Sequence, residues 1–161
     1  GVQIEKITLH VGLGTFAKLT SENLASKTLH SEYFEISNKV ADRLNQAKKN
    51  GKRIISVGTT TTRSLESAVL LSASKKEILA VAKETNIFID PPCKFNFVDG
   101  LITNFHLPKS SLLMLVSAFC SFPNTEKEFT NFLSSSIGQA YLHALENDYR
   151  FFSFGDAMLI Q

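Results

Sequence analysis

From Ile4 through Ile7 and Leu9 to Val11 apolar and polar positions alternate, the pattern of a strand with one buried face, ended by Gly12 and Gly14. A polar loop follows to about Thr28, and Glu32 to Ile36 forms a second short strand. Ser37 then caps a helix whose Val40, Ala41, Leu44 and Ala47 share one face, and Asn50-Gly51 stops it. Arg53 to Val57 is a run of Ile and Val between basic residues and a glycine. It leads through Gly58-Thr59-Thr60-Thr61-Thr62 into Arg63, Leu65, Glu66, Ala68 and Val69, which predicts strand, turn and helix.

Ser74 to Lys83 fits either a helix or a loop; Asn86 to Asp90 reads as a strand closed by Pro91-Pro92. Phe95 to Phe105 is extended, interrupted at Asp99-Gly100. A helix from about Lys109 to Cys120 is apolar around most of its circumference and is therefore expected to be buried. Thr125-Glu126-Lys127-Glu128 has the form of a capping box, which predicts that the last long helix starts there. Phe129, Phe132, Leu133, Ile137, Ala140, Tyr141, Ala144 and Leu145 would be its core face. Gly138 inside that helix costs about 1 kcal/mol relative to alanine, so close packing there is one explanation and a locally weak helix the other. The chain closes on a buried strand ending at Ile160. Alternating strands and helices predict an α/β domain with a largely parallel or mixed sheet and flanking helices.

Composition narrows the function classes only slightly. With 43% hydrophobic and 20% charged residues in 161, the chain suits one ordinary globular core, and a net charge of +2 does not by itself argue for nucleic acid. Cys93 and Cys120 are too far apart for paired zinc motifs and are expected as reduced thiols. The longest apolar run, Leu112 to Val116, is far too short to span a bilayer, so no membrane association is expected.

Candidate chemistry gathers at two turns, each expected at the carboxyl end of a strand, where α/β sheets collect ligands. Thr59, Thr60 and Arg63 offer hydroxyls, helix-start N–H groups and a planar cation, suited to a carboxylate, a phosphate or ribose hydroxyls. The plainer alternative is that one threonine caps the helix while Arg63 and Glu66 pair across a turn in water. The second turn crowds Asp99, Asn104, His106, Lys109 and Ser110 into a dozen positions, with His106 as the group that titrates nearest neutral pH; a hydrogen-bonded turn histidine is the alternative. His30 and Glu32 share a face if extended, yet no third metal ligand accompanies them. The thirteen Phe and three Tyr are mainly core, with Phe105 and Phe151 to Phe154 able to stack on a base or face a sulfonium.

Five ordered segments carry a resemblance: Leu9 to Phe16, His30 to Tyr33, Gly51 to Thr60 with Arg63 and Leu65 to Ser67, Val98 to Phe119, and Tyr149 to Ile160. Together they resemble the S-adenosylmethionine:tRNA ribosyltransferase-isomerases of queuosine biosynthesis, and the whole chain is similar to the C-terminal half of those two-domain proteins, as one α/β domain without the N-terminal half. The resemblance implies that the ribosyl part of S-adenosylmethionine is transferred to 7-aminomethyl-7-deazaguanine at the tRNA wobble position and isomerised. Epoxyqueuosine forms, and adenine and methionine leave. S-adenosylmethionine would serve as co-substrate without a metal, in a cytoplasmic monomer that meets the anticodon loop of the tRNA. Thr59, Thr60, Arg63, Asn104, Lys109 and Ser110 are the implied binding residues, and His106 with Asp99 the implied acid and base. The family pattern carries an arginine and a proline where Ala17 and Lys18 stand, a glycine where Pro92 stands, and a tyrosine where Phe154 stands. These departures bear on activity more than on fold. A non-catalytic remnant or RNA-binding module of the same fold is the alternative, and a generic anion-binding α/β protein a third.

Overall fold

The computed structural model describes residues 1–12 and 18–161, together with the backbone of the turn at Phe154. In chain order its elements are β1 (Thr8–Leu9), α1 (Ser21–Ser26), β2 (Thr28–Ile36), α2 (Asn38–Lys49), β3 (Ile55–Val57), α3 (Thr59–Leu70), β4 (Val81–Ile87), β5 (Gly100–Asn104), α4 (Ser111–Phe119), α5 (Ser136–Glu146) and β6 (Ala157–Ile160). The α/β class and the mixed sheet hold, but the strands divide into two three-stranded sheets, ordered β1-β2-β4 and β3-β5-β6. The first is antiparallel throughout; in the second, β3 and β5 run parallel and β6 returns antiparallel. Among the described residues, parallel pairing is thus confined to β3 and β5. Alternation of strands and helices along the chain does not specify which strands pair, and β2 and β4, two helices apart in sequence, close the longest ladder.

Several elements differ from their sequence reading. The strand expected over Ile4 to Val11 shrinks to Thr8–Leu9, because its partner β2 ends at Ile36 and turns into α2, leaving nothing opposite Ile4, which is 81% exposed. Gly14 lies outside the described residues. The strand expected over Asn86 to Asp90 runs instead from Val81 to Ile87, where Lys83 and Glu84 point outward and mask the alternation. Thr125 does not start the last helix. Its hydroxyl donates back to the Cys120 carbonyl, and the helix begins ten residues later, where Ser135 caps it through the Gly138 N–H. Leu133 and Leu145 consequently face solvent, while Ile137, Tyr141 and Ala144 are buried. Of the two explanations for Gly138, close packing is the one realised, since a Cβ there would run into the Phe132 carbonyl. The helix expected over Lys109 to Cys120 is α4, with Ser110 as its cap and Lys109 just outside it in the left-handed region at φ 61°.

Two hydrophobic clusters hold the layers together. Phe34, Ile36, Leu65, Val69, Ile78 and Phe97 join the first sheet to α2 and α3. Leu101, Phe105, Leu115, Val116, Ile137 and Tyr141 pack β5 against α4 and α5. Each buried Leu, Ile or Phe contributes roughly 1.5–3 kcal/mol, enough to fix the carboxyl ends of β3 and β5 side by side.

Candidate functional site

At the end of β3 the chain turns through Gly58, at φ 90°, into α3. A side chain is strained at that φ, which explains the glycine. The Gly58 N–H donates to the Ile102 carbonyl of β5 at 2.8 Å, tying this turn to the neighbouring strand. Thr62 is structural: its hydroxyl reaches the Gly58 carbonyl at 3.1 Å and Ser56 Oγ at 2.7 Å. Thr59 is buried and Thr60 half-buried. The helices α1, α2, α4 and α5 each begin with a capping hydroxyl, from Thr20, Ser37, Ser110 and Ser135, whereas α3 has no side-chain cap. Its first-turn N–H groups carry the positive end of the helix dipole without that neutralising oxygen.

One turn further along α3, Arg63 is 3% exposed and pairs through Nη1 with the equally buried Glu32 of β2. Glu32 also accepts the Gly12 N–H at 3.1 Å. Arg63 Nε and Nη2 are buried and meet no acceptor among the described residues. These two atoms form one edge of the guanidinium, with parallel N–H bonds spaced for a carboxylate or phosphate. The pairing of Arg63 with Glu66 in water does not occur. Glu66 is buried too, and its carboxylate accepts three backbone N–H groups, from Asn96 at 2.8 Å, Phe97 at 3.0 Å and Val98 at 2.9 Å.

The neighbouring corner follows β5. Asn104 is exposed at the strand end, opposite Ala157 of β6. His106 is 6% exposed; its Nε2 lies 3.0 Å from Thr103 Oγ1, and its backbone N–H donates to Tyr141 Oη at 2.8 Å. Burial pushes the imidazole down to about 4 and the Tyr141 phenol up to about 12, so both are neutral at pH 7. Ser110 spends its hydroxyl on the Leu107 carbonyl and the Leu113 N–H, while the Lys109 carbonyl accepts from Leu19 and its side chain is exposed. Lys18 bridges to Ser110, and Ala17 lies outside the described residues.

The structure therefore brings Thr59, Thr60, Asn104, His106, Lys109 and Ser110 to the carboxyl ends of two adjacent parallel strands, with Arg63 one helical turn behind. It does not bring Asp99 there. Asp99 precedes β5, about 17 Å away along that strand, and its carboxylate is held by the Ile54 N–H at 2.8 Å and Lys48 Nζ at 2.7 Å. Glu32 is the functional neighbour that sequence reasoning missed by pairing it with His30. An irregularity in the ladder between Thr28 and Glu32 breaks the alternation, leaving His30 exposed and Glu32 inside. Tyr141 gave no signal beyond its place on a core face. No group of three His, Cys, Asp or Glu side chains among the described residues is set to hold a metal.

The chain is similar to known proteins over nearly its whole length. The S-adenosylmethionine:tRNA ribosyltransferase-isomerase of Halothermothrix orenii is 50% identical over 160 residues, covering 99% of this chain and 42% of the relative. That of Staphylococcus epidermidis is 51% identical over 160 residues, with 99% and 42% coverage. The crystal structure of an S-adenosylmethionine tRNA ribosyltransferase from Thermotoga maritima superposes with a TM-score of 0.61 at 38% identity, over 81% of this chain and 40% of that one. The chain thus spans 42% of the length of these two curated relatives. Residues 1–160 match the profile described as queuosine biosynthesis protein, and the chain belongs to that family.

Proposed function

We propose that this chain is part of an enzyme that transfers the ribosyl moiety of S-adenosylmethionine to 7-aminomethyl-7-deazaguanine at the wobble position of a cytoplasmic tRNA. The product is epoxyqueuosine, with release of adenine and methionine. The names of relatives at about half identity support the reaction class. The observation that carries the placement is the open edge of Arg63, buried one turn behind the uncapped start of α3. Two unmet N–H donors in a buried site cost about 1–3 kcal/mol each, a deficit that an incoming acceptor removes.

On this reading the Arg63 edge, the first N–H groups of α3 and the Thr59 and Thr60 hydroxyls receive the carboxylate of the methionyl part. Asn104 and Lys109 line the rim where a nucleotide extruded from the anticodon loop arrives. Ser110 acts indirectly, by fixing the start of α4 beside that rim. His106, neutral and oriented by Thr103, accepts a proton and does not supply one at pH 7. Asp99 takes no part, being held at the opposite end of β5.

The test uses the full-length protein with S-adenosylmethionine labelled in the adenine ring. Adenine release that requires tRNA carrying the deazaguanine is expected; tRNA binding without release would favour the non-catalytic RNA-binding module instead. His106→Gln is expected to lower turnover at least tenfold while tRNA affinity stays unchanged, and full turnover by that variant removes His106 from the mechanism.

A further inference from the structure

A second polar surface lies at the other end of β5. A groove of ≈ 340 Å³ is lined by Asn45, Lys48, Lys49, Lys76, Glu77 and Asn96. Asn45 builds it: its Nδ2 donates to the Ile78 carbonyl at 2.8 Å and its Oδ1 accepts the Ile78 N–H at 2.9 Å, clipping the turn before β4 onto the side of α2. That clip brings Lys76 up to Lys48 and Lys49, with Lys75 next to it in sequence. The chain then leaves α2 through the Lys52 N–H, bonded to Ala47, into Arg53. Lys49, Lys52, Arg53, Lys75 and Lys76 are exposed; among the described residues Lys48 alone of this group is in an ion pair, with Asp99, while Arg53 Nη2 donates to Gln161 Oε1 at 3.0 Å. Six cations here stand against Glu77 and Asp99, a local excess larger than the whole-chain net charge of +2, so the remainder of the molecule is net negative.

The α2 dipole explains Lys48 and Lys49, which sit in its last turn, but not Lys75 and Lys76 on a separate turn. Nor are the two ends of the molecule isolated from each other. β3 is an edge strand among the described residues, with Ile55 and Val57 exposed, and it runs from the Lys52-Arg53 link that follows α2 to Gly58 at the start of α3. A flank three residues long, unpaired on its outer edge among the described residues, therefore leads from the link after α2 to the candidate site.

We propose that this groove binds the phosphodiester backbone of RNA, and that the RNA tracks along the β3 edge from the groove to the site at the carboxyl ends of β3 and β5. The proposal rests on the tRNA reading above for its partner. Phosphate contacts of this kind position a nucleic acid without reading its sequence, and they give an affinity that falls with salt. Asn96 and Asn45 add polar atoms to the floor, and the lysines supply point charges on flexible stems suited to a backbone whose phosphates vary in spacing.

The test compares the full-length protein with its Lys49→Glu/Lys76→Glu variant, and with Lys83→Glu on the exposed side of β4 as a control for overall charge. Binding of a tRNA transcript is followed by fluorescence anisotropy over a series of salt concentrations, alongside turnover. The double variant is expected to bind about tenfold more weakly, with a salt slope shallower by about 1–2. Its KM for tRNA should rise while kcat and saturation by S-adenosylmethionine hold. Unchanged affinity and slope, or an equal loss per charge in Lys83→Glu, overturns the proposal. Should the wild-type protein release no adenine yet lose tRNA binding in the double variant alone, the groove stands and the enzymatic reading falls.

Discussion

Glu66 and Arg63 sit about one turn apart on the buried side of α3, and they are finished in opposite ways. Glu66 has its charge distributed over three backbone N–H groups at 2.8–3.0 Å, an enclosed arrangement that pins the loop before β5 to the helix. Arg63 uses one nitrogen on Glu32 and leaves the whole opposite edge of the guanidinium without a partner among the described residues. A buried charge is tolerable only when its hydrogen-bonding capacity is met. Glu66 meets that condition within the fold, and Arg63 does not meet it among the described residues. Burial alone therefore does not separate an architectural charge from a binding one; the count of satisfied donors does.

The comparison breaks first at Glu66. Glu66→Ala strips three buried N–H groups of their acceptor and is expected to cost about 3–5 kcal/mol, read as a fall in the denaturant midpoint. A loss below about 1 kcal/mol would mean that water or the loop itself replaces the carboxylate, and the contrast with Arg63 would disappear.

His106 tests whether the second corner resembles Glu66 or Arg63. Its folded-state pKa of about 4 lies below the ordinary 6.5, so the unfolded chain binds more protons between these values. Stability contributed by the neutral imidazole is present above pH 6.5 and is lost as pH falls towards 4, by at most about 3 kcal/mol. Unfolding free energies measured from pH 7 to 4 should show that decline in the wild type and a flatter profile in His106→Gln. Equal slopes would place the acid sensitivity elsewhere.

What the chain's residues disclosed beforehand follows the range of the interactions involved. The helix capped by Ser37, the threonine turn into α3 and the apolar α4 were legible because caps, glycine punctuation and apolar stripes are local. The capping-box pattern at Thr125 misled for a physical reason: its hydroxyl donates back to the Cys120 carbonyl and accepts the Lys127 N–H two residues on, a local turn in place of a helix cap. At the site, both turns were legible as strand-end corners. The partners that give them character, Glu32 for Arg63 and Tyr141 for His106, are thirty or more residues away and carry no sequence mark. Asp99 was grouped with His106 by nearness in sequence, although five strand residues extend between them and separate the two side chains to opposite ends.

Arg63→Lys sharpens the contrast at smaller amplitude. Lysine keeps a cation for Glu32 but lacks the paired N–H edge, so the fold should change by less than about 1 kcal/mol while the KM for S-adenosylmethionine rises about tenfold, equivalent to 1.4 kcal/mol. If stability falls and KM does not, Arg63 belongs with Glu66 as an architectural charge.

The smallest effect is expected where α4 starts. Ser110 caps that helix through the Leu113 N–H at 3.2 Å and also holds the Leu107 carbonyl at 2.7 Å, so its hydroxyl is fully used within the fold. Ser110→Ala should cost about 1 kcal/mol in stability, as loss of a cap does, and Ser110→Asp should recover only part of it, because a carboxylate accepts the Leu113 N–H but cannot donate to the Leu107 carbonyl. Activity should follow stability in both variants. A Ser110→Asp protein that folds normally yet loses S-adenosylmethionine binding would show instead that the added negative charge faces the substrate carboxylate, and that the α4 start belongs, with the uncapped start of α3, to the same anion-binding rim.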